Sequence, residues 1–330
     1  MPDDGIFTSE QIRLLANSFQ QSRVLLTAVE LDLFTLLDKQ LTPSSEIAKK
    51  LGTDEKATDR LMNALTALGF VRKVHGKFYN TEAASQYLVR GKPEYMGGLH
   101  HANNLWNSWS NLTEAVRKGY SAYEDSNFRG ENWLESFIAA MHYRAEREAK
   151  IISLMLDLSN VKRMLDIGGG SGAFSYELIR KQPDLHAVIF DLEDVIPLTK
   201  KYAGQSGVEK NISYIAGDYL INDFGNGYDL VLLSAIVHIN SYDQNKELVK
   251  KCADACNTKG QIIIKDFIMN EDRTAPAGGA LFALNMLVAT EYGDTYTEQE
   301  MKEWFANAGI KNIQRKNTSF GSNLLIGIKD

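Results

Sequence analysis

The sequence predicts an α/β chain in which a helical N-terminal module precedes a larger domain built on a parallel sheet. At 330 residues the chain is long enough for two domains. Apolar side chains recur at helical spacing over residues 8–37, whereas from Met164 onward short runs rich in Ile, Val and Leu alternate with helical stretches. A glycine-rich turn follows the first of these runs. This alternation indicates a sheet covered by helices on both faces, with ligands at the carboxyl ends of its strands.

The N-terminal module has the element order of a winged helix and is all-α apart from its wing. After the long first helix, Thr42-Pro43 predicts the N-cap and first turn of a short helix, and Thr53 predicts the cap of the next helix. Two short strands around Gly76 then form the wing. We expect this domain to cover residues 1–95.

A winged helix is compatible with two functions, DNA binding and dimerisation. The helix that would read DNA carries Asp54, Glu55 and Asp59 against only Lys56 and Arg60, and the whole chain has a net charge of -6. Phosphate and base contacts depend mainly on Arg and Lys, so this helix lacks the usual donors. The long apolar first helix instead suits a second subunit, and symmetric dimers are the commonest oligomers. We predict a homodimer through this domain and no nucleic-acid partner.

Composition gives no sign of a membrane segment or a metal site. No run approaches about 20 unbroken apolar residues, and the acidic N-terminus lacks the basic and apolar regions of a signal peptide. The two cysteines, Cys252 and Cys256, lie one turn apart on a predicted helix with no further ligand nearby. We therefore expect reduced thiols, no metal, no membrane partner and a cytoplasmic location.

The glycine-rich turn is the clearest sign of a ligand site. A predicted strand ending at Ile167 leads into Gly168, Gly170 and Gly172, which open a helix. Glycines allow a tight turn and close approach of the backbone to a ligand, and the helix start offers free N–H groups. The spacing up to Ala173 also fits a dinucleotide site, so the turn alone leaves the nucleotide open.

Acidic residues at successive strand ends indicate which kind of nucleotide the turn binds. Asp191 ends the second predicted strand about 20 residues after the turn, the spacing of an acid that bonds ribose hydroxyls. Asp218 and Tyr219 follow the third strand and suit an adenine, with the carboxylate on its amine and the ring on its face. Each acid alone could cap a helix. Together with Asp166 beside the turn, they favour a nucleoside ligand.

At these motifs the chain resembles the class I S-adenosylmethionine-dependent methyltransferases, and more narrowly the dimeric O-methyltransferase family of plant phenolic methyltransferases and their bacterial relatives. Residues 165–172 are similar to the family's first motif, Phe190-Asp191-Leu192 to its ribose motif and Gly217-Asp218-Tyr219 to its adenine motif. The resemblance implies a Rossmann-like methyltransferase domain, which together with a helical acceptor region covers residues 96–330. Its parallel sheet would end in an antiparallel strand pair.

The resemblance also implies S-adenosylmethionine as the methyl donor, converted to S-adenosylhomocysteine, with no metal. The residues expected to bind this cofactor are Asp166, Gly168, Gly170, Gly172, Asp191, Leu192, Asp218, Tyr219 and Ser234.

His238 is the expected general base. Imidazole titrates near neutral pH, and His238 stands where the family has its catalytic histidine. Asp266 matches the family's carboxylate that orients this histidine. The chain departs from the plant pattern at Ile239-Asn240, where those members have Asp-Trp, and at Thr295, where they have a second carboxylate; Asp294 is adjacent. These departures leave methylation of sulfur, nitrogen or carbon open.

The acceptor site is expected to be mostly apolar. Our leading hypothesis is an O-methyltransferase of a small, aromatic or hydrophobic hydroxylated metabolite; the alternatives are another acceptor atom or a winged-helix regulator that senses a ligand. The junction between the two domains and the resemblance together place these residues around the acceptor: Leu99, His100, Trp106, Phe137, Met141, Met286 and Thr290.

Overall fold

The computed structural model describes residues 7–121 and 133–330, and the chain divides into two compact units, Met1–Asn104 and Leu105–Asp330. Helix α7 (Leu99–Ser110) crosses this division, and the domain end that we expect at residue 95 stays a prediction.

The N-terminal unit consists of short helices and a small sheet. Its other helices are α1 (Ser9–Asn17), α2 (Phe19–Glu30), α3 (Leu33–Leu36), α4 (Ser44–Leu51), α5 (Glu55–Ala67) and α6 (Glu82–Tyr87). Its strands are β1 (Thr42–Pro43), β2 (Val71–Val74) and β3 (Lys77–Asn80), in the antiparallel order β1-β3-β2.

Three local predictions in this unit were wrong. Thr42 does not cap a helix, because it pairs with Phe78 in the sheet and α4 begins later. Asp54 rather than Thr53 caps α5, its carboxylate accepting a 2.8 Å hydrogen bond from the N–H of Ala57. The long first helix is three helices: Ser18 lies between α1 and α2, and Asp32, in a left-handed conformation with φ 51°, separates α2 from α3. The two-stranded wing is present as predicted.

The first helix leaves its apolar side chains uncovered within the unit. The unit's core is built from later elements and includes Phe34, Ile47, Met62 and Phe78. By contrast, no residue of α1 is buried. The exposed apolar residues on and beside α1 are Phe7, Ile12, Leu14, Leu15 and Phe19.

The C-terminal unit is built on a seven-stranded sheet in the order β11-β12-β8-β7-β4-β5-β6. Five strands are parallel, and β12 runs antiparallel to both β8 and β11, which confirms the predicted fold class. The strands are β4 (Arg163–Ile167), β5 (His186–Asp191), β6 (Ile212–Ala216), β7 (Tyr228–Ser234), β8 (Cys256–Asp266), β11 (Ile310–Lys316) and β12 (Asn323–Lys329). A separate parallel pair consists of β9 (Ile268–Met269) and β10 (Tyr296–Thr297).

Helices cover both faces of this sheet. The helices α9, α10 and α11 contribute apolar side chains to the core on one face, whereas α12 and α14 pack on the other. The helices of this unit are α8 (Leu112–Lys118), α9 (Trp133–Met155), α10 (Ala173–Lys181), α11 (Ile196–Ser206), α12 (Tyr242–Ala255), α13 (Ala277–Ala289) and α14 (Glu298–Asn307). The chain therefore brings the ends of β4, β5, β7 and β8 to one edge.

The cysteines do not share a helix as expected. Cys252 lies in α12, but Cys256 begins β8, and both thiols are buried. Burial raises the pKa of Cys256 to about 11, which makes a reactive thiolate unfavourable at neutral pH. Among residues 7–121 and 133–330, no group of three or more potential ligands suits a metal ion. No helix in the described ranges is long and apolar enough to cross a bilayer.

Candidate active site

The glycine-rich turn joins β4 to α10 in a conformation that requires glycine. Gly168, Gly170 and Gly172 have φ values of 62°, 57° and 84°, a left-handed region that other residues rarely adopt. A Cβ on Gly172 would also lie 2.7 Å from the hydroxyl of Tyr176. A Cβ on Gly170, in contrast, would meet only Ile138 within 4 Å, at 3.8 Å. The space beside the α-carbon of Gly170 is therefore free of close protein contacts, although its N–H and carbonyl are bonded to Asp191 and Thr199.

Asp191 contacts this turn directly. Its carboxylate accepts hydrogen bonds from the N–H of Gly170 at 2.7 Å and from the N–H of Leu192 at 2.8 Å. Burial nevertheless raises the pKa of Asp191 above its usual range. A carboxylate has about four acceptor positions, so two further donors, such as the hydroxyls of a ribose, can still be bonded. The structure thus joins two of the sequence motifs through one side chain.

Asp166 lies deeper than the turn it precedes. Its side chain is 1% exposed and accepts a 2.7 Å hydrogen bond from the hydroxyl of Ser175 in α10. Burial raises the pKa of Asp166 to about 7. In the structure this carboxylate links β4 to α10 through its hydrogen bond with Ser175. The contact of Asp166 with a cofactor stays a prediction.

Asp218 and Tyr219 lie at the end of β6. The carboxylate of Asp218 accepts a hydrogen bond from the N–H of Leu220 at 2.8 Å, and the hydroxyl of Tyr219 donates to Oδ1 of Asn240 at 3.0 Å. Asn240 is buried and in turn donates to Asn245 at 3.0 Å. Asn240 is one of the departures from the plant pattern, and here it connects the adenine motif with the segment that carries His238.

His238 and Asp266 form a direct pair. Nδ1 of His238 lies 2.9 and 2.8 Å from the two carboxylate oxygens of Asp266, and the side chains are 12% and 3% exposed. Because an ionised carboxylate can only accept a hydrogen bond, Nδ1 carries the proton and its N–H donates a hydrogen bond to Asp266. The other nitrogen, Nε2, is then left with a free lone pair. This arrangement suits a general base.

Aromatic rings and a backbone contact fix the position of this imidazole. The ring of Phe282 in α13 meets His238 edge-on with centroids 4.8 Å apart, and Phe267 packs against Phe282 at 4.7 Å. The N–H of Asp294 donates to the carbonyl of His238 at 3.1 Å. The His238 side chain and backbone are thus both restrained.

Neither Asp294 nor Thr295 gives His238 a second carboxylate contact in this structure. The Asp294 carboxylate accepts from the N–H of Thr295 at 2.7 Å and pairs with Arg273 at 3.4 Å. Thr295 is buried, and its hydroxyl lies 3.5 Å from the carbonyl of Gly279. Within the described residues, Asp266 is the carboxylate that pairs with His238.

The expected acceptor residues belong to both units. Leu99 and His100 lie in the first unit, where the hydroxyl of Tyr95 is 3.1 Å from Nε2 of His100, and burial lowers the pKa of His100. Trp106 belongs to the second unit, on α7.

Four acceptor residues lie on α9 and at the end of α13. Phe137 stacks on Trp133 with centroids 5.2 Å apart, and Met141 lies one turn further along α9. Met286 is nearly buried, and its carbonyl accepts from the hydroxyl of Thr290 at 2.7 Å. Ser234, which we expect to contact the cofactor, ends β7 and pairs in register with the residue before Asp266.

His142, on α9, contacts the glycine turn. Its Nδ1 lies 2.9 Å from the hydroxyl of Ser171, and its ring packs on Tyr202 with centroids 4.1 Å apart. Burial lowers the pKa of His142, which favours the neutral imidazole. No local pattern distinguishes this histidine from a core residue, so only the packing of α9 against the turn reveals the contact.

Comparisons with known families match almost the whole chain. Residues 109–311 match the model of the O-methyltransferase domain, and residues 14–90 match that of the O-methyltransferase dimerisation domain.

Individual relatives agree with these matches. The 3-hydroxy-5-methyl-1-naphthoate 3-O-methyltransferase of Streptomyces sahachiroi is 32% identical over 307 residues, with 91% of this chain and 89% of the relative covered. The acetylserotonin O-methyltransferase of Bos taurus is 30% identical, with 92% of each chain covered. Human N-acetylserotonin methyltransferase, solved in complex with SAM, has the same fold with a TM-score of 0.85 at 24% identity and 99% coverage of both chains.

Proposed function

Because the chain belongs to the O-methyltransferase family, we propose that it methylates a hydroxyl group of a small, flat aromatic metabolite with His238 as the general base. The enzyme is an S-adenosylmethionine-dependent methyltransferase. The observation that carries the proposal is the hydrogen-bonded pair of His238 and Asp266 at the strand edge that also holds the glycine turn.

The residues at the turn fit S-adenosylmethionine. Asp191 has acceptor positions left for the two ribose hydroxyls, and the space beside the α-carbon of Gly170 is free of close protein contacts. Tyr219, next to Asp218, offers an aromatic face for the adenine. When bound, the cofactor supplies an electrophilic methyl group on its sulfonium. The protein's contribution is to hold the acceptor oxygen in line with that methyl, since correct positioning supplies much of the rate.

His238 removes the acceptor's proton. The bond to Asp266 holds the proton on Nδ1, so Nε2 accepts the proton of the acceptor O–H as the oxygen becomes the nucleophile. The imidazolium that forms is stabilised by the adjacent Asp266 carboxylate. Phe282 at the edge of the ring prevents the imidazole from rotating away. The resulting methyl ether is neutral, and the proton leaves to solvent from His238.

The acceptor is proposed to be a hydroxylated bicyclic aromatic. The names of two relatives given above specify 3-hydroxy-5-methyl-1-naphthoate and acetylserotonin as the acceptors of those proteins. Phe137, Met141 and Met286 would supply apolar contacts to such a ring. A second candidate is N-methylation, because an N,N-dimethyltransferase of Streptomyces rimosus is 25% identical over 96% of this chain.

An acceptor panel with labelled S-adenosylmethionine tests the proposal. The panel contains hydroxynaphthoates, hydroxyindoles and the corresponding aryl amines. We expect label in the hydroxylated compounds, and His238→Ala should lower kcat by about a hundred- to ten-thousandfold. Titration calorimetry should find the affinity of that variant for S-adenosylhomocysteine unchanged. Undiminished turnover by His238→Ala would exclude a general-base role, and label only in amines would favour the second candidate.

We also propose that the protein is a homodimer. The match to a dimerisation domain and the uncovered apolar side chains of α1 support this assembly. The cytoplasmic location and the absence of nucleic-acid and membrane partners remain predictions of the sequence.

A further inference from the structure

A group of charged side chains lies on the face of β8 opposite to Asp266. Two of them are buried, and the third, that of Arg144, is 45% exposed. Glu148 of α9 and Lys265 of β8 form an ion pair, and their side chains are only 4% and 5% exposed. Arg144, one turn earlier on α9, donates from Nε to the same carboxylate at 2.9 Å. The Lys265 ammonium also lies 5.3 Å from the ring centroid of Phe174. We call Arg144, Glu148 and Lys265 the charged triad.

The triad is connected to the catalytic pair on two sides. Lys265 directly precedes Asp266, and its carbonyl accepts a 2.8 Å hydrogen bond from the N–H of Ala235. Ala235 has φ 59°, a strained conformation for a residue other than glycine, and begins the segment that leads to His238. The Lys265 backbone therefore holds the ends of both β7 and β8, while its side chain holds α9.

The second connection is aromatic. The guanidinium carbon of Arg144 lies 5.9 Å from the ring centroid of Phe267. Phe267 packs on Phe282, and Phe282 meets the imidazole of His238. Thus one helix, α9, contacts the aromatic support of the base through Arg144, and it also carries Phe137 and Met141 in its first turns.

A gain in folding stability does not by itself explain a buried ion pair at this place. Burying an ion pair costs desolvation of both charges, and apolar residues of similar volume are often equally or more stabilising. What an ion pair adds is a fixed geometry between two elements. We propose that Glu148 is a positioning residue: with Lys265 and Arg144 it sets the position of α9, and hence of Phe137 and Met141, relative to His238. The proposal rests on the function proposed above.

Paired substitutions separate positioning from stability. Glu148→Gln leaves Lys265 buried without its counter-charge and should lower stability. The double variant Glu148→Met/Lys265→Met removes both charges at similar volume and should recover the melting temperature. If the triad positions α9, the double variant should still show a KM for 3-hydroxy-1-naphthoate raised about tenfold, because small misplacements of a bound substrate have large kinetic effects.

Hydrogen exchange supplies a readout that does not depend on the acceptor. Backbone amides of residues 137–145 should exchange faster in the double variant than in the wild type. The matched control is Glu135→Gln, which removes the exposed ion pair of the same helix with Lys201 and should leave exchange and KM unchanged. Wild-type exchange and wild-type KM in the double variant would overturn the proposal. If the wild-type enzyme is inactive on every acceptor, the proposed function is wrong. The hydrogen-exchange comparison still tests separately whether the triad holds α9, because it needs no acceptor.

Discussion

Single carboxylates in this enzyme have different tasks that their environments determine. Asp266 is a hydrogen-bond acceptor for His238, Asp191 joins the glycine turn to the end of β5, and Asp166 is enclosed beneath the turn. The sequence shows all three as acids near strand ends. Only the partners of each side chain distinguish a positioning role from a cofactor contact or a structural bond.

Asp166 should make the stability of the cofactor-free protein depend on pH. Its pKa is about 7 in the folded protein and 3.8 by its usual value, so the folded state favours the protonated acid. As pH rises from about 4 to 7, the unfolded chain ionises first and the protein loses stability. In denaturant unfolding, the free energy of unfolding of Asp166→Asn relative to the wild type should increase across this pH range, by up to about 4 kcal/mol.

The control for Asp166 is the surface variant Asp157→Asn. Hydrogen bonds from Ser159 lower the pKa of Asp157. The ionised Asp157 therefore stabilises the folded protein, and this stability is lost only as pH falls, which is the opposite of the effect of Asp166. A stability difference between Asp166→Asn and wild type that stays constant from pH 4 to 7 would show that Asp166 does not titrate there.

At the level of elements, the segment after α13 supports the base through its backbone. Gly293 lies against the loop that carries His238, so that a Cβ there would be 2.5 Å from the carbonyl oxygen of His238 and 2.5 Å from Oγ1 of Thr290. The carbonyl belongs to the backbone and cannot rotate away. Contact between these two loops is therefore close enough that one methyl group should displace the base.

Gly293→Ala should lower kcat by about tenfold or more, because the displaced His238 no longer faces the acceptor oxygen. Overpacking should also cost about 1–3 kcal/mol of stability. Gly278→Ala is the matched control, since a Cβ at Gly278 meets nothing within 4 Å. Both variants are compared by steady-state kinetics and by calorimetry with S-adenosylhomocysteine. Equal kcat in the two variants would mean that the loop contact does not position the base.

At the scale of the whole molecule, the first helix has an apolar surface that its own unit does not bury. Leu14 and Leu15 are 63% and 64% exposed. Removing such surface from water is favourable by roughly 25 cal/mol per Å², which a second subunit would provide. The double variant Leu14→Glu/Leu15→Glu should therefore sediment as a monomer in analytical ultracentrifugation.

The control for the dimer is Leu41→Glu, which adds a charge at an apolar residue of the same unit, 47% exposed and outside α1. This variant should remain dimeric. If the α1 variant sediments as the wild type does, the dimer surface lies elsewhere on the chain.

Local patterns of the sequence determined the fold class, the glycine turn and the acids and histidine at the strand ends. Strand periodicity and glycine spacing are properties of neighbouring residues, so they are visible without a structure. The same rules missed Thr42 as a strand residue and the break at Asp32, because pairing with Phe78 and a left-handed backbone override local preference. Caps and helix ends were accordingly the least accurate predictions.

The tertiary structure alone decided which of these residues meet. The bonds from His238 to Asp266, from Gly170 to Asp191 and between Glu148 and Lys265 join residues far apart in the chain. It also directed the Asp294 carboxylate to Arg273 and away from a supporting role at the base. Such pairings depend on how strands and helices pack in three dimensions, and the spacing of residues along the chain does not specify that packing.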